Sequence, residues 1–478
     1  MRSALRLIPQ SALAEQGLTV LDPATQGVIT TVKTFTPEQV EPLISQAEQA
    51  MPAWAQQPAK VRAQVLQRWY QLVMSHQEDL AQLITAECGK PLAEARGEVA
   101  YGASFIEWFA EEAKRVYGEV VPTHAEGKRI LVLRQPIGVC AAITPWNFPL
   151  AMMTRKVAPA LAAGCPILVK PAEATPLTAL ALAALALEAG VPEGLFQVVP
   201  TTDPAALGQL FCAHTTIRKL SFTGSTEVGR ILMRQAASNI KKLSLELGGN
   251  APFIVFDDAN LDAAIEGALA SKYRNAGQTC VCVNRFLVQS SVYDEFAQRL
   301  QARVAELKVG PGAEPGTQIG PLINAAASTK VQGLIADAVA QGAQITLGGQ
   351  AIAGSSAFFQ PTVITGVQPQ MRIAQEEIFG PVSTLIRFDT EAEAIAMANN
   401  TPYGLAAYFY ANDLGRVWRV MEALEYGMVG VNEGIISTEV APFGGIKQSG
   451  LGREGSRHGI EDYTELKYAL IGGLAASE

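Results

Sequence analysis

Of the side chains here that could do covalent chemistry, one cysteine sits in a stretch suited to an accessible thiol. Cys280 lies in RNAGQTCVCVNR, with small Ala276-Gly277 and polar Gln278-Thr279 ahead of it and an apolar run behind. The thiolate is the nucleophilic form, so such a residue needs a neighbour that takes its proton or holds its charge. Glu246 is a second candidate: it stands between Leu245 and Leu247, just before Gly248-Gly249 that let the backbone turn sharply beside it. A carboxyl among apolar residues is usually paired or perturbed. Asn147, in TPWNFP, carries an amide on backbone stiffened by Pro145 and Pro149, the kind of fixed donor that holds a developing oxyanion. Each residue also has a structural reading: a core cysteine, a strand-end glutamate and a turn asparagine.

Two stretches have the form of a dinucleotide-binding edge. In ILVKPAE an apolar strand ends at Lys170, with Glu173 just beyond it. In SFTGSTEVGR a strand passes through Gly224-Ser225 into a helix, whose N-terminal N–H groups suit pyrophosphate oxygens. A G-x-G-x-x-G does occur at Gly450–Gly455, but it follows a Gly/Pro-rich loop and no βαβ unit remains after it. That match is set aside.

The remaining composition excludes other chemistries. Six cysteines and four histidines (His76, His124, His214, His458) are scattered, and only Cys280 and Cys282 are close, as C-x-C. No metal site is expected. A net charge of −8 without a basic run excludes a nucleic-acid footprint. The N-terminal stretch lacks the apolar run of a signal peptide, and the longest apolar stretch, Pro176 to Leu187, is too short to cross a bilayer. The expectation is a cytoplasmic protein that binds no membrane.

The elements that must position these residues can be read from periodicity. A chain of 478 residues implies two or three domains. An extended piece comes first, followed by long amphipathic helices; Val61–His76 aligns Val61, Val65, Leu66, Trp69, Leu72 and Val73 on one stripe. Strand segments are expected on either side of Gln135-Pro136, and at Ile167–Val169, Phe196–Val199, Lys219–Phe222, Leu243–Leu247, Phe253–Phe256 and Arg285–Gln289. Helices are expected between them, one closed by Gly164 and one by Gly190. Such alternation predicts an α/β fold with parallel sheets.

Taken in order, TPWNFP, VKPAE, FTGSTEVGR, LELGGNAP, NAGQTCVCVNR, EEIFGPV and PFGGIKQSGLGREG closely resemble the NAD(P)⁺-dependent aldehyde dehydrogenase family, from about residue 18 to the C-terminus. The resemblance implies Cys280 as nucleophile, Glu246 as general base and Asn147 as oxyanion donor. It implies cofactor contacts from Trp146, Lys170, Glu173, Gly224, Ser225, Glu377 and Phe379. NAD⁺ is the expected cofactor over NADP⁺, since a carboxylate at Glu173 would take ribose hydroxyls and repel a 2′-phosphate, which Lys170 would tolerate. The implied fold is a Rossmann-like cofactor domain (1–117 and 136–246), an α/β catalytic domain (247–440) and a small β oligomerisation arm (118–135 and 441–478), assembled as a homodimer or homotetramer.

Within the family, the chain is similar to the succinate-semialdehyde dehydrogenases and their glutarate-semialdehyde relatives. Arg155, Arg274 and Ser437 match the clamp that holds the substrate carboxylate, chemistry suited to guanidinium forks and a hydroxyl. The resemblance to C-x-C members of that subfamily implies Cys282 as a candidate redox partner of Cys280, against the plainer reading of a small residue packed at the start of the strand. The readings weighed against this one are a glutarate or other short semialdehyde, an inactive relative used as a binding protein, and a CoA-acylating enzyme, which would need no base at Glu246.

Overall fold

The apolar runs that alternate with helices become the strands of two mainly parallel sheets. A computed structural model describes residues 3–352 and 357–474. The first and last expected domain spans therefore include residues 1–2 and 475–478, which lie outside the described residues.

One sheet has six strands, in the order Gly450–Leu451, Lys242–Glu246, Ile217–Thr223, Val139–Ile143, Ile167–Lys170 and Phe196–Val198. All but the Gly450–Leu451 edge run parallel. The chain enters at Val139–Ile143, winds outward one way, then returns to wind the other way. The switch point lies between Val139–Ile143 and Ile217–Thr223, where open α/β sheets bind ligands at the carboxyl ends of their strands. Alternate residues of the central strand feed different cores. Val139, Ala141 and Ile143 pack on one face, and Cys140 and Ala142 on the other.

The second sheet has seven strands, in the order Gln344–Leu347, Thr362–Thr365, Val382–Phe388, Val283–Gln289, Ala251–Val255, Ala406–Tyr410 and Met428–Val431. Only the Gln344–Leu347 edge is antiparallel. A three-stranded antiparallel sheet of Thr464–Ile471, Arg129–Pro136 and Glu119–Val121 stands apart from both.

The early helices bury the expected stripe with one shift. Ala59–Ser75 buries Ala63, Val65, Leu66, Trp69 and Val73, while Val61 is 37% exposed. Gly164 and Gly190 close their helices in the left-handed region, at φ 96° and 95°. Periodicity did not reveal the helices Pro204–Ala213 and Leu414–Ala423, or the strands after Gln289. These runs are short, and over so few residues helix and strand patterns look alike. Gly450–Leu451 pairs with Leu245 and Glu246, so the G-x-G-x-x-G begins as a sheet edge beside the candidate base.

Candidate active site

Glu246 ends its strand at the carboxyl edge of the six-stranded sheet, and Ala251 begins the first strand of the seven-stranded sheet. The turn between them can be tight because a Cβ on Gly249 would lie 2.5 Å from the Cys280 carbonyl oxygen. Glu246 is 3% exposed and neither carboxylate oxygen has a hydrogen-bond partner among the described residues. Burial, and then the charge of Glu454, hold its carboxyl well above the ordinary carboxylate range, against the pull of Arg155 and Lys156.

The thiol is presented by a strained turn. After the helix Leu261–Tyr273, the residues Asn275, Ala276 and Gly277 are all left-handed, with φ of 51°, 55° and 76°. A Cβ on Gly277 would meet the Gly380 carbonyl oxygen at 2.2 Å, so only glycine fits there. A left-handed non-glycine residue costs about 1–3 kcal/mol and persists only where its surroundings over-determine it. Here Glu94 accepts the Asn275 N–H at 2.8 Å, and Gln278 Nε2 donates to the Asn275 carbonyl at 3.0 Å. Cys280 emerges half-buried. Burial pushes its thiol up to about 12, while the Arg155 guanidinium pulls the other way. Asn147 faces this turn: its Nδ2 donates to the Gln278 carbonyl at 2.9 Å.

Asn147, Glu246 and Cys280 line one cleft of about 260 Å³, together with Trp146, Glu377 and Phe379. Glu377 accepts the Gly249 N–H at 3.0 Å, and burial raises its carboxyl to about 7. Phe379, left-handed at φ 56°, meets the Trp146 ring edge-on at 5.7 Å. Gly224 and Ser225 reach the same cleft at the start of the helix Thr226–Ala236, which Ser225 caps through the Val228 N–H at 3.3 Å. Beside them the buried Thr223 hydroxyl has no hydrogen-bond partner among the described residues. An open helix N-terminus, an unpaired hydroxyl and a flanking aromatic pair fit a dinucleotide. Lys170 and Glu173 pair with each other at the same edge of the sheet, outside this cleft.

Arg155, Arg274 and Ser437, the expected carboxylate clamp, do not line that cleft, although both arginines favour the Cys280 thiolate by their charge. Arg155 is 1% exposed, ion-paired to Glu454 at 2.5 Å and stacked 3.9 Å from the Phe443 ring, and its Nη2 has no hydrogen-bond partner among the described residues. Arg274 is half-buried, 5.3 Å from the Phe148 ring. The Tyr101 phenol lies among Arg155, Arg274, Cys280 and Ser437, and burial raises its pKa. Cys282 is buried, with its thiol 3.4 Å from the Lys272 carbonyl oxygen. Its N–H donates to the Thr279 carbonyl at 2.9 Å, so residues 279–282 form a turn, and the strand starts only at Val283.

Sequence reasoning missed Lys90, Glu98, Tyr101, Lys156 and Glu454. Four of these are charged residues, which read as solvent-facing, Tyr101 is an aromatic on a helix, and nothing local marks any of them as facing a site. Among the described residues no cluster of His, Cys, Asp and Glu could hold a metal ion.

A profile of the aldehyde dehydrogenase family matches residues 10–469. The chain is 59% identical to the glutarate-semialdehyde dehydrogenase of Pseudomonas putida, over 95% of this chain and 94% of that one. It is 58% identical to the NADP⁺-dependent succinate-semialdehyde dehydrogenase of Escherichia coli, over 96% and 95%. The crystal structure of succinate-semialdehyde dehydrogenase from Burkholderia pseudomallei superposes with a TM-score of 0.96 at 58% identity, covering 98% of each chain.

A thiol held near 12 is almost wholly protonated at neutral pH. Alkylation of Cys280 by iodoacetamide in the ligand-free protein should therefore rise roughly tenfold per pH unit between about pH 7 and 9. A plateau below pH 8 would mean that its neighbours already ionise it.

Proposed function

The chain belongs to the aldehyde dehydrogenase family, and we propose that it oxidises succinate semialdehyde to succinate through a thioester on Cys280. The convergence of Cys280, Glu246 and Asn147 on one cleft, beside a fitting dinucleotide edge, carries this reading. It also disfavours an inactive relative and a CoA-acylating enzyme.

Hydride does not leave an aldehyde carbon readily while it remains a carbonyl. Attack by the Cys280 thiolate makes a tetrahedral thiohemiacetal. The second Nδ2–H of Asn147 and the Cys280 main-chain N–H hold its oxyanion, at about 3–4 kcal/mol per donor in comparable sites. The chemistry a bound dinucleotide supplies is acceptance of the hydride as that oxyanion collapses. Glu246 then takes a proton from water, the water oxygen attacks the thioester, and Cys280 leaves as thiolate. Its raised proton affinity, with both oxygens unpartnered, suits a base that works at neutral pH.

Arg274, the free Nη2 of Arg155 and Ser437 hold the far carboxylate of the substrate, with Tyr101 among them. Glutarate semialdehyde is the second reading, favoured by the 59% identity to the Pseudomonas putida enzyme. NAD⁺ is preferred and NADP⁺ accepted, because Lys170 partly neutralises the carboxylate that would repel a 2′-phosphate. The three-stranded sheet exposes Val120, Leu466 and Tyr468, at 77%, 62% and 60%, a surface for a second copy in a homodimer or homotetramer. No helix among the described residues is long and apolar enough to cross a membrane, and all six cysteines are unpaired, which suits a reducing cytoplasm.

Three measurements check these assignments. Glu246→Gln should release one burst of NADH and then turn over very slowly, because acylation survives and hydrolysis stalls; loss of the burst would assign Glu246 to activating the thiol. Arg274→Ala should raise KM for succinate semialdehyde by about 30-fold and leave propanal nearly unchanged. Equal losses on both aldehydes would make Arg274 structural. Glu173→Gln should lower the ratio of kcat/KM for NAD⁺ over NADP⁺; an unchanged ratio would remove Glu173 from cofactor choice.

A further inference from the structure

Lys90 joins the helices Gln77–Cys88 and Leu92–Glu112 and is 1% exposed. Its ammonium ion-pairs with Glu98, lies 3.6 Å from the Phe148 ring centre, and donates to the main-chain carbonyl of Asn147 at 2.9 Å. Glu98 in turn accepts the N–H groups of Leu150 and Ala151, at 2.9 and 3.3 Å, where the helix Ala151–Ala163 begins. The Asn147 carbonyl takes a second donor, Asn275 Nδ2 at 3.1 Å, from the strained turn that leads to Cys280. The same Lys90-bearing segment grips that turn directly through Glu94, and reaches the catalytic side through Leu92 N–H to Gly312 O at 2.9 Å.

We propose that Lys90 is the positioning residue that aims the Asn147 amide at the oxyanion. The inference rests on the role proposed above for Asn147. An oxyanion donor lowers the barrier only if it is already oriented when charge develops, because turning it during the reaction forfeits the gain. Asn147 Nδ2 is directed by its bond to the Gln278 carbonyl, and that bond holds only while the asparagine backbone cannot rotate. Lys90 and Asn275 pin that backbone at one oxygen, one from each side of the cleft. An ammonium suits the post because three donors radiate from a single atom, meeting Glu98 and the Asn147 carbonyl at once. Lys90 does not line the cleft, so its effect on the reaction must pass through Asn147.

The test compares Lys90→Met, Asn147→Ala and the double variant. Two rates are read: the first-turnover NADH burst with succinate semialdehyde, and hydrolysis of p-nitrophenyl acetate without dinucleotide, where thiol attack passes through the same oxyanion. Lys90→Met should slow both by about 10²-fold, the scale of a misplaced reacting group, with KM little changed. The double variant should be no slower than Asn147→Ala alone, since a residue acting through another adds nothing once that other is gone. Losses that multiply, or a Lys90→Met burst at the wild-type rate, would overturn the positioning role and leave Asn147 standing. A wild-type rate in Asn147→Ala would instead overturn the Asn147 role itself. If Lys90→Met does not fold, Lys90→Met/Glu98→Gln removes both buried charges together and replaces it in the same comparison. Failure of that variant to fold would make the pair a folding element and also overturn the inference.

Discussion

Between Glu246, the last residue of one parallel sheet, and Ala251, the first of the other, the chain must bring a carboxylate up to a thiol. Gly249 makes this feasible, because any side chain there would collide with the Cys280 carbonyl. The contact sets how closely the two sheets approach, and much else is built around it. Glu377 is tied to the Gly249 N–H, and the Ser449 hydroxyl bridges the Gly248 carbonyl and the Gly404 N–H at 2.8 and 2.9 Å. The two sheets thus meet along a hydrogen-bonded seam whose cleft is lined by Asn147, Glu246 and Cys280.

The seam is also where charge is buried. The helix Ala151–Ala163 is buried along its whole length, yet it carries Arg155 and Lys156. Both face Glu454, which they hold below the ordinary carboxylate range despite its burial. Glu454 therefore stays charged, and its charge adds to desolvation in raising Glu246. Two carboxylates in one environment are pushed apart: one is paired and ionised, the other unpaired and avid for a proton. That separation is what a structural carboxylate beside a general base requires.

The strain in the 275–277 turn belongs to the same design. Left-handed Asn275 and Ala276 are unfavourable alone, and they are held by bonds from Glu94 and Gln278 together with the close approach of Gly380 to Gly277. The result is a thiol whose main-chain N–H and whose neighbour Asn147 are both fixed before any substrate arrives. Preorganisation here comes from several elements converging on one turn.

Local chemistry marked Cys280, Glu246 and Asn147 as candidates, because a thiol after flexible residues, a carboxyl among leucines and an asparagine between prolines each carry a signal within a few residues, and the order of the motifs joined them into one proposed site. Gly164 and Gly190 likewise mark helix ends by backbone freedom alone, and the alternation of apolar runs implied parallel sheets. Lys90, Glu98, Lys156 and Glu454 had no such signal. Lys156 and Glu454 lie 298 residues apart, and each reads locally as a solvated charge until folding removes its water and supplies the other. The Arg155 side chain, legible as an anion-binding group, turned out to share its guanidinium with Glu454 for the same reason. Sequence alone marked which groups could react, since the kind of reaction open to a side chain is a property of the residue and its immediate backbone. Which buried charges compensate one another, and so how acidic or basic each becomes, only the tertiary structure decided. Desolvation and Coulomb energy depend on distances that exist only once the chain has closed on itself.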